Sequence, residues 1–277
     1  MVFGGIFWYN EVLMSLRTTL VALLTGLVLG CASVPSGPGM GSLIGPEGRG
    51  ADLARPVRTI VIDAGHGGHD PGTSHHGLKE KYLALDIAKR LRTRLQASGF
   101  TVVMTRETDH FIPLSGRPAI ANRVDADLFI SVHINANPNS RAISGVEVYY
   151  PRDSKVSSAA VWPPSVTEAE VAVPSMTVKQ VLWDMVLRRT RWQSRQLGSS
   201  ICRSMRDGLQ VSCRGVKSAR FVVLRESWMP AVLVEVGYVT NRVEAQRLGT
   251  PDYRQAAAEA IAEGILVYVR EQGLQHV

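Results

Sequence analysis

At 277 residues the chain is long enough for one large domain or two small ones, and 45% apolar against 20% charged residues supports a packed core and excludes a wholly disordered protein. The formal charge of +7 is unevenly placed: nine Lys or Arg stand between Arg188 and Arg220 against the single acid Asp207. That stretch reads either as a face for an anionic partner or as a solvated helix surface. No basic-aromatic platform accompanies it, so nucleic acid is not an expected partner.

The chain opens with an apolar run, "TTLVALLTGLVLG" from Thr18 to Gly30, which has the length of a signal-peptide core and is short for a bilayer crossing. This predicts an exported protein with residues 1–30 as signal peptide. Met14, followed by Arg17, offers a more ordinary start than Met1. "VLGC" at 28–31 resembles a bacterial lipobox, although Val28 and Leu29 depart from its commoner residues. That makes Cys31 the candidate lipidation site and implies a periplasmic, membrane-anchored lipoprotein; a chance cysteine after a plain signal core is the alternative. Residues 31–56, with "VPSGPGMGSLIGPEGRG", read as a flexible tether.

From about Val57, short apolar runs alternate with helical periods. This predicts an α/β fold: one three-layer domain over 57–273, with a mostly parallel, roughly six-stranded sheet between helices. The expected strands are 58–63, 100–105, 126–132, 145–150, 220–224 and 231–236. Glu80 to Ser98 is the first helix, with Leu83, Ile87, Leu91 and Leu95 on one stripe and Gly99 at its end. Residues 117–124, 193–205 and 251–272 are the others. Segment 151–187 interrupts the rhythm: Pro163, Pro164 and Pro174 make its first part irregular, while Val178, Val181, Leu182 and Met185 recur at helical spacing. It reads as an insertion before a crossover helix. Cys202 and Cys213 are either a disulfide, which export permits, or two buried thiols.

In a parallel sheet, functional groups collect beyond the carboxyl ends of the strands. His66 follows the first strand, His133 ends the third and Glu235 ends the last, while Glu80 opens the following helix at the same rim, where the helix dipole favours a carboxylate. Two imidazoles and a carboxylate form the ligand set of a catalytic zinc site with an open fourth position, and a further carboxylate could move protons beside it. The chain lacks HExxH, however, and Glu80 could equally be a helix-start residue with no metal role. His69, His75 and His76 share the glycine-rich loop with His66 and read as solvated or substrate-side groups. Asp63 and Asp70 read as groups that order the loop or a ligand imidazole. Arg106 and Arg117 could take substrate carboxylates or pair internally with acids such as Glu107, Asp109 or Asp86. Asn135 is a candidate for orienting the His133 loop, and reads equally well as an ordinary turn residue.

A resemblance runs through these same segments. "IVIDAGHGGHDPGT", "GLKEKYLALDIAKRL", "VVMTRETDHFIPLSGRPAIAN", "ADLFISVHINAN", "GVEVYY", "FVVLRESWMPAVLVEVGYVTN" and "AAAEAIAEGILVYV" resemble, in order, the zinc-dependent N-acetylmuramoyl-L-alanine amidases of the amidase 3 type. The resemblance implies one Zn2+ per chain on His66, Glu80 and His133, with Glu235 as the catalytic residue. Peptidoglycan is the implied substrate, cut at the amide between N-acetylmuramic acid and L-alanine in wall remodelling or daughter-cell separation. Thr73, Ile134, Val236 and Tyr238 depart from the commoner family residues and remove no ligand. Some division amidases of the family carry a plug over the zinc that an activator protein withdraws, which makes 151–187 a candidate regulatory insertion with Glu168 and Glu170 as candidate autoinhibitory residues. Another zinc peptidase or deacetylase acting on peptidoglycan, and a non-catalytic wall-binding module, are the competing readings.

Overall fold

The computed structural model describes residues 56–152 and 176–274; the signal segment, Cys31, the tether, Glu168 and Glu170 lie outside the described residues. Within them, the strands are β1 (Thr59–Ala64), β2 (Ser74–His75), β3 (Leu78–Lys79), β4 (Thr101–Met104), β5 (Leu128–Asn135), β6 (Val146–Pro151), β7 (Cys213–Ala219) and β8 (Ala231–Tyr238). The helices are α1 (Glu80–Gln96), α2 (Gly116–Arg123), α3 (Met176–Leu209), α4 (Val222–Arg225), α5 (Arg242–Leu248) and α6 (Pro251–Leu274). Six strands form one sheet in the order β4-β1-β5-β8-β6-β7, and β2 pairs with β3 in a small hairpin. Strands β4, β1, β5 and β8 run parallel; β6 joins β8 antiparallel and carries β7 parallel to itself. The sheet is thus mostly parallel, with a reversed pair at one edge.

Alternation of side chains along the strands sorts the sheet into two unlike faces. On one face Ile60, Ile62, Leu128, Ile130, Val232, Val234, Val146 and Val148 pack against α1, α3 and α6. Helix α1 supplies Leu83, Ile87, Leu91 and Leu95, all buried, the stripe that the 3.6-residue period predicts. On the other face a smaller cluster joins Val61, Phe129, Ala231 and Leu233 to Ala121 of α2 and to Val223 and Leu224 of α4. With both faces covered, the central strands are buried along nearly their whole length, as parallel strands require.

The structure corrects three sequence expectations. The strand expected at 220–224 is the helical turn α4, preceded by the true strand β7. Strand β7 is an edge strand with no fully buried residue, so "CRGVKSA" needs no apolar run, whereas the short run of α4 buries two adjacent residues, as one side of a helical turn can. The helix expected at 193–205 is one 34-residue helix that begins at Met176; the stretch from 176 to 187 therefore belongs to the crossover helix and not to an insertion apart from it. Helix α5 was absent from the sequence reading. Asn241 caps it by accepting from the backbone N–H groups of Val243 and Glu244, and the buried Glu244 carboxylate accepts from Gly145 and Tyr238 N–H, each at 2.7 Å. Cys202 of α3 and Cys213 of β7 form a disulfide with Cα atoms 5.7 Å apart.

Candidate metal centre

The site begins with how the chain leaves β1. His66 sits in the left-handed region at φ 59°, which is costly for a non-glycine residue and needs support from its surroundings. Two buried guanidinium groups provide it. Arg106 donates to the carbonyls of Ala64 (2.9 Å), Gly65 (2.7 Å), Lys81 (2.8 Å) and Thr108 (3.1 Å). Arg117 donates to Ala64 O (2.8 Å), His66 O (2.9 Å), Ile112 O (3.1 Å) and the Asp63 carboxylate (2.9 Å). Asp63, fully buried, also accepts from Thr105 and Ser131 hydroxyls at 2.7 Å. Neither arginine pairs with the acids Glu107, Asp109 or Asp86 in these bonds. Both are buried supports of the loop backbone.

So held, the His66 ring meets Asp70 through Nδ1 at 2.8 Å and Glu80 through Nε2 at 3.2 Å. His133 reaches the same Glu80 oxygen through Nδ1 at 2.9 Å. One ligand atom from each of His66, Glu80 and His133 lies within 4.8 Å of the others. The approach depends on missing side chains: a Cβ on Gly65 would collide with the His133 ring, and one on Gly72 would lie 2.6 Å from Glu80 Oε2 and 2.7 Å from the His66 ring. The remaining valences of Glu80 are held by backbone, Thr73 N–H to Oε2 at 2.9 Å and Ile134 N–H to Oε1 at 3.0 Å. Burial works against the Glu80 anion, but the hydrogen bonds from His133 and His66 outweigh it and hold the carboxyl far below its usual range. Burial likewise disfavours charge on His66, yet Glu80 and Asp70 together raise its pKa. Two imidazoles and an ionised carboxylate, with His66 oriented by Asp70 and Glu80 by backbone N–H groups, are a nitrogen-and-oxygen donor set suited to a divalent transition metal.

Glu235 stands beside this triad without joining it. Strand register places it opposite His133 on one side and Glu147 on the other. The residue keeps some exposure, but its Oε2 is enclosed and accepts no hydrogen bond from the described residues. Burial first, then the charges of Glu80 and Glu147, push its carboxyl well above the usual value. His69 stacks on Phe111 at 4.1 Å, and His75 and His76 are exposed in the β2–β3 hairpin; none of the three enters the cluster. Asn135 accepts from Ala136 N–H through its own oxygen and donates to Glu147 at 3.4 Å. Glu147 was not among the residues expected at the site; its signal in the sequence is a charge inside the apolar strand "GVEVYY".

A mostly parallel α/β sheet carries at its rim two histidines and a carboxylate that could hold a metal ion, and comparison with known proteins gives the class. Residues 60–267 match the family described as Amidase_3, N-acetylmuramoyl-L-alanine amidase. The amidase AmiA of Escherichia coli K12 is 40% identical over 220 residues, 76% of each chain. Among solved structures, AmiC2 of Nostoc punctiforme superposes with a TM-score of 0.61 at 34% identity, over 77% of this chain and 97% of that one. The CwlD amidase of Clostridioides difficile, solved in complex with the GerS lipoprotein, gives 0.62 at 25% identity over 77% and 99%. The chain belongs to the Amidase_3 family of N-acetylmuramoyl-L-alanine amidases and is a peptidoglycan amidase.

Proposed function

We propose that the chain cleaves the amide between N-acetylmuramic acid and L-alanine with one zinc ion held by His66, Glu80 and His133. The observation that carries this reading is the convergence of those three ligand atoms within 4.8 Å beside a carboxyl that is not one of them. Bound there, zinc supplies a Lewis acid that polarises the scissile carbonyl and makes water acidic enough to attack near neutral pH. Glu235 takes the proton of the attacking water and returns it to the leaving nitrogen of L-alanine. Asp70 holds the His66 ring by Nδ1, which leaves Nε2 for the metal. Arg106 and Arg117 keep the loop in its strained form. Asn135 ties the end of β5, two residues past His133, to Glu147.

The biological setting is proposed on the same basis: export behind the 1–30 signal, lipid attachment at Cys31, a tether over 31–56 and a catalytic domain over 57–273. No helix among the described residues is long and apolar enough to cross a membrane. A role in daughter-cell separation, regulated by the segment before α3 with Glu168 or Glu170 on the metal, goes with an activator protein as partner; the CwlD structure with its lipoprotein supports the idea of a protein partner. Deleting residues 152–177 raises basal activity on sacculi if that segment blocks the site, and unchanged activity contradicts it.

Digestion of purified peptidoglycan tests the reaction. Mass analysis finds free peptides beginning with L-alanine, lost with chelator and restored by zinc. Cleavage inside the stem peptide or loss of acetyl groups would instead favour a peptidase or deacetylase, and binding without product a wall-binding module.

A further inference from the structure

Beyond Glu235, on the side away from the metal ligands, the sheet carries a second buried polar group that the reaction just described does not use. Glu147 is 2% exposed and lies in β6, directly opposite Glu235 in the antiparallel pairing. Its carboxylate accepts from the Tyr149 hydroxyl at 2.6 Å, Lys217 Nζ at 2.7 Å and Asn135 Nδ2 at 3.4 Å. It also pairs with Arg214 Nε at 3.3 Å and hydrogen-bonds the Tyr238 side chain. Two cations therefore share one buried anion. Arg214 also donates to Ser144 O at 3.4 Å. The side chains of Lys217 and Arg214 remain 47% and 38% exposed, so both keep contact with solvent while the carboxylate beneath them is buried.

The order of strands gives this arrangement a direction. His133, Glu235 and Glu147 sit side by side on β5, β8 and β6, and β7 with Lys217 follows at the edge. A substrate whose carbonyl lies at the triad and whose leaving nitrogen lies at Glu235 continues, on its leaving side, toward β6 and β7. That leaving half is a peptide, and peptides present carboxylates on acidic residues and at their ends. Lysine and arginine fixed by a buried anion are pre-oriented for such a group, since the anion removes the cost of ordering two long side chains on binding.

We propose that Lys217 and Arg214, held in place by Glu147, form the subsite that receives a carboxylate of the peptide released from the scissile amide. The proposal rests on the amidase reading for the direction of the substrate and adds what selects the peptide. Glu147 is a positioning residue in it, and Lys217 makes the contact.

The test compares zinc-loaded wild type with Lys217→Gln, which keeps a donor to Glu147, and with Lys217→Arg. The substrates are N-acetylmuramoyl-L-alanyl-D-glutamate and its diamide, and binding of the dipeptide L-alanyl-D-glutamate is measured separately by calorimetry. Lys217→Gln raises KM for the acidic substrate about tenfold, the loss expected for one hydrogen bond to a charged group. It leaves kcat, and both constants for the diamide, within about twofold, and Lys217→Arg restores KM. An equal loss on both substrates, or no change on either, would overturn the subsite. If wild type cleaves neither substrate, digestion of peptidoglycan decides the amidase reading and the dipeptide decides the subsite alone. Weaker binding to Lys217→Gln upholds it, and equal binding to the two proteins overturns it.

Discussion

The two faces of the central sheet do different work, and the contrast explains how one fold holds both a stable body and a strained site. The face under α1, α3 and α6 is built almost wholly from Ile, Val, Leu and Ala. The other, under the short helices α2 and α4, gives way toward the strand ends to Asp63, Ser131, His133, Glu235 and Glu147. Alternation along β5 shows the division at single-residue resolution: Ile130, Val132 and Ile134 enter the large core, while Phe129, Ser131 and His133 run from the small core to the candidate metal centre. Glu80 crosses between the two, starting a helix of the thick face and ending at His133. Substitutions should separate stability from chemistry according to the face they touch.

The largest expected loss of stability falls on the thick face. Leu91→Ala removes a fully buried side chain and costs about 2–5 kcal/mol in denaturant unfolding; kcat at a temperature where the variant stays folded is unchanged, and a matching fall in kcat would break the division. Reducing the Cys202–Cys213 bridge opens a link between residues 11 apart in sequence and lowers stability by about 3 kcal/mol on the loop-entropy view. Thermal unfolding with and without reductant measures it, with zinc affinity again unaffected. On the thin face the effects reverse. Asp70→Asn weakens the hold on His66 Nδ1 and lowers zinc affinity about 10–100-fold, with little change in unfolding of the metal-free protein. Titration with a zinc indicator reads this, and excess zinc restores activity.

Much of this division was legible in the sequence, and the reasons for the rest are physical. Buried parallel strands read as apolar runs, so a histidine or glutamate at their ends stood out, and the stripe of α1 followed the helical period. Edge strand β7 lacks that signature because half-exposed residues need no pattern, and α4 is too short for a period to declare itself. Arg106 and Arg117 could not be distinguished from substrate-binding arginines, since burial against backbone carbonyls leaves no mark on residue type. Glu147 was visible only as a charge in an apolar strand. Its meaning needed the register that sets it against Glu235 and the long-range pairing with Lys217, 70 residues away.

Glu235 is set apart from the proposed metal ligands His66, Glu80 and His133. The decisive measurement is zinc content alongside peptidoglycan cleavage in Glu235→Gln, since a general acid–base contributes about 10²–10⁴-fold in rate. The predicted result is close to one zinc per chain with cleavage reduced by about that factor; loss of zinc together with activity would place Glu235 among the ligands and contradict the assignment.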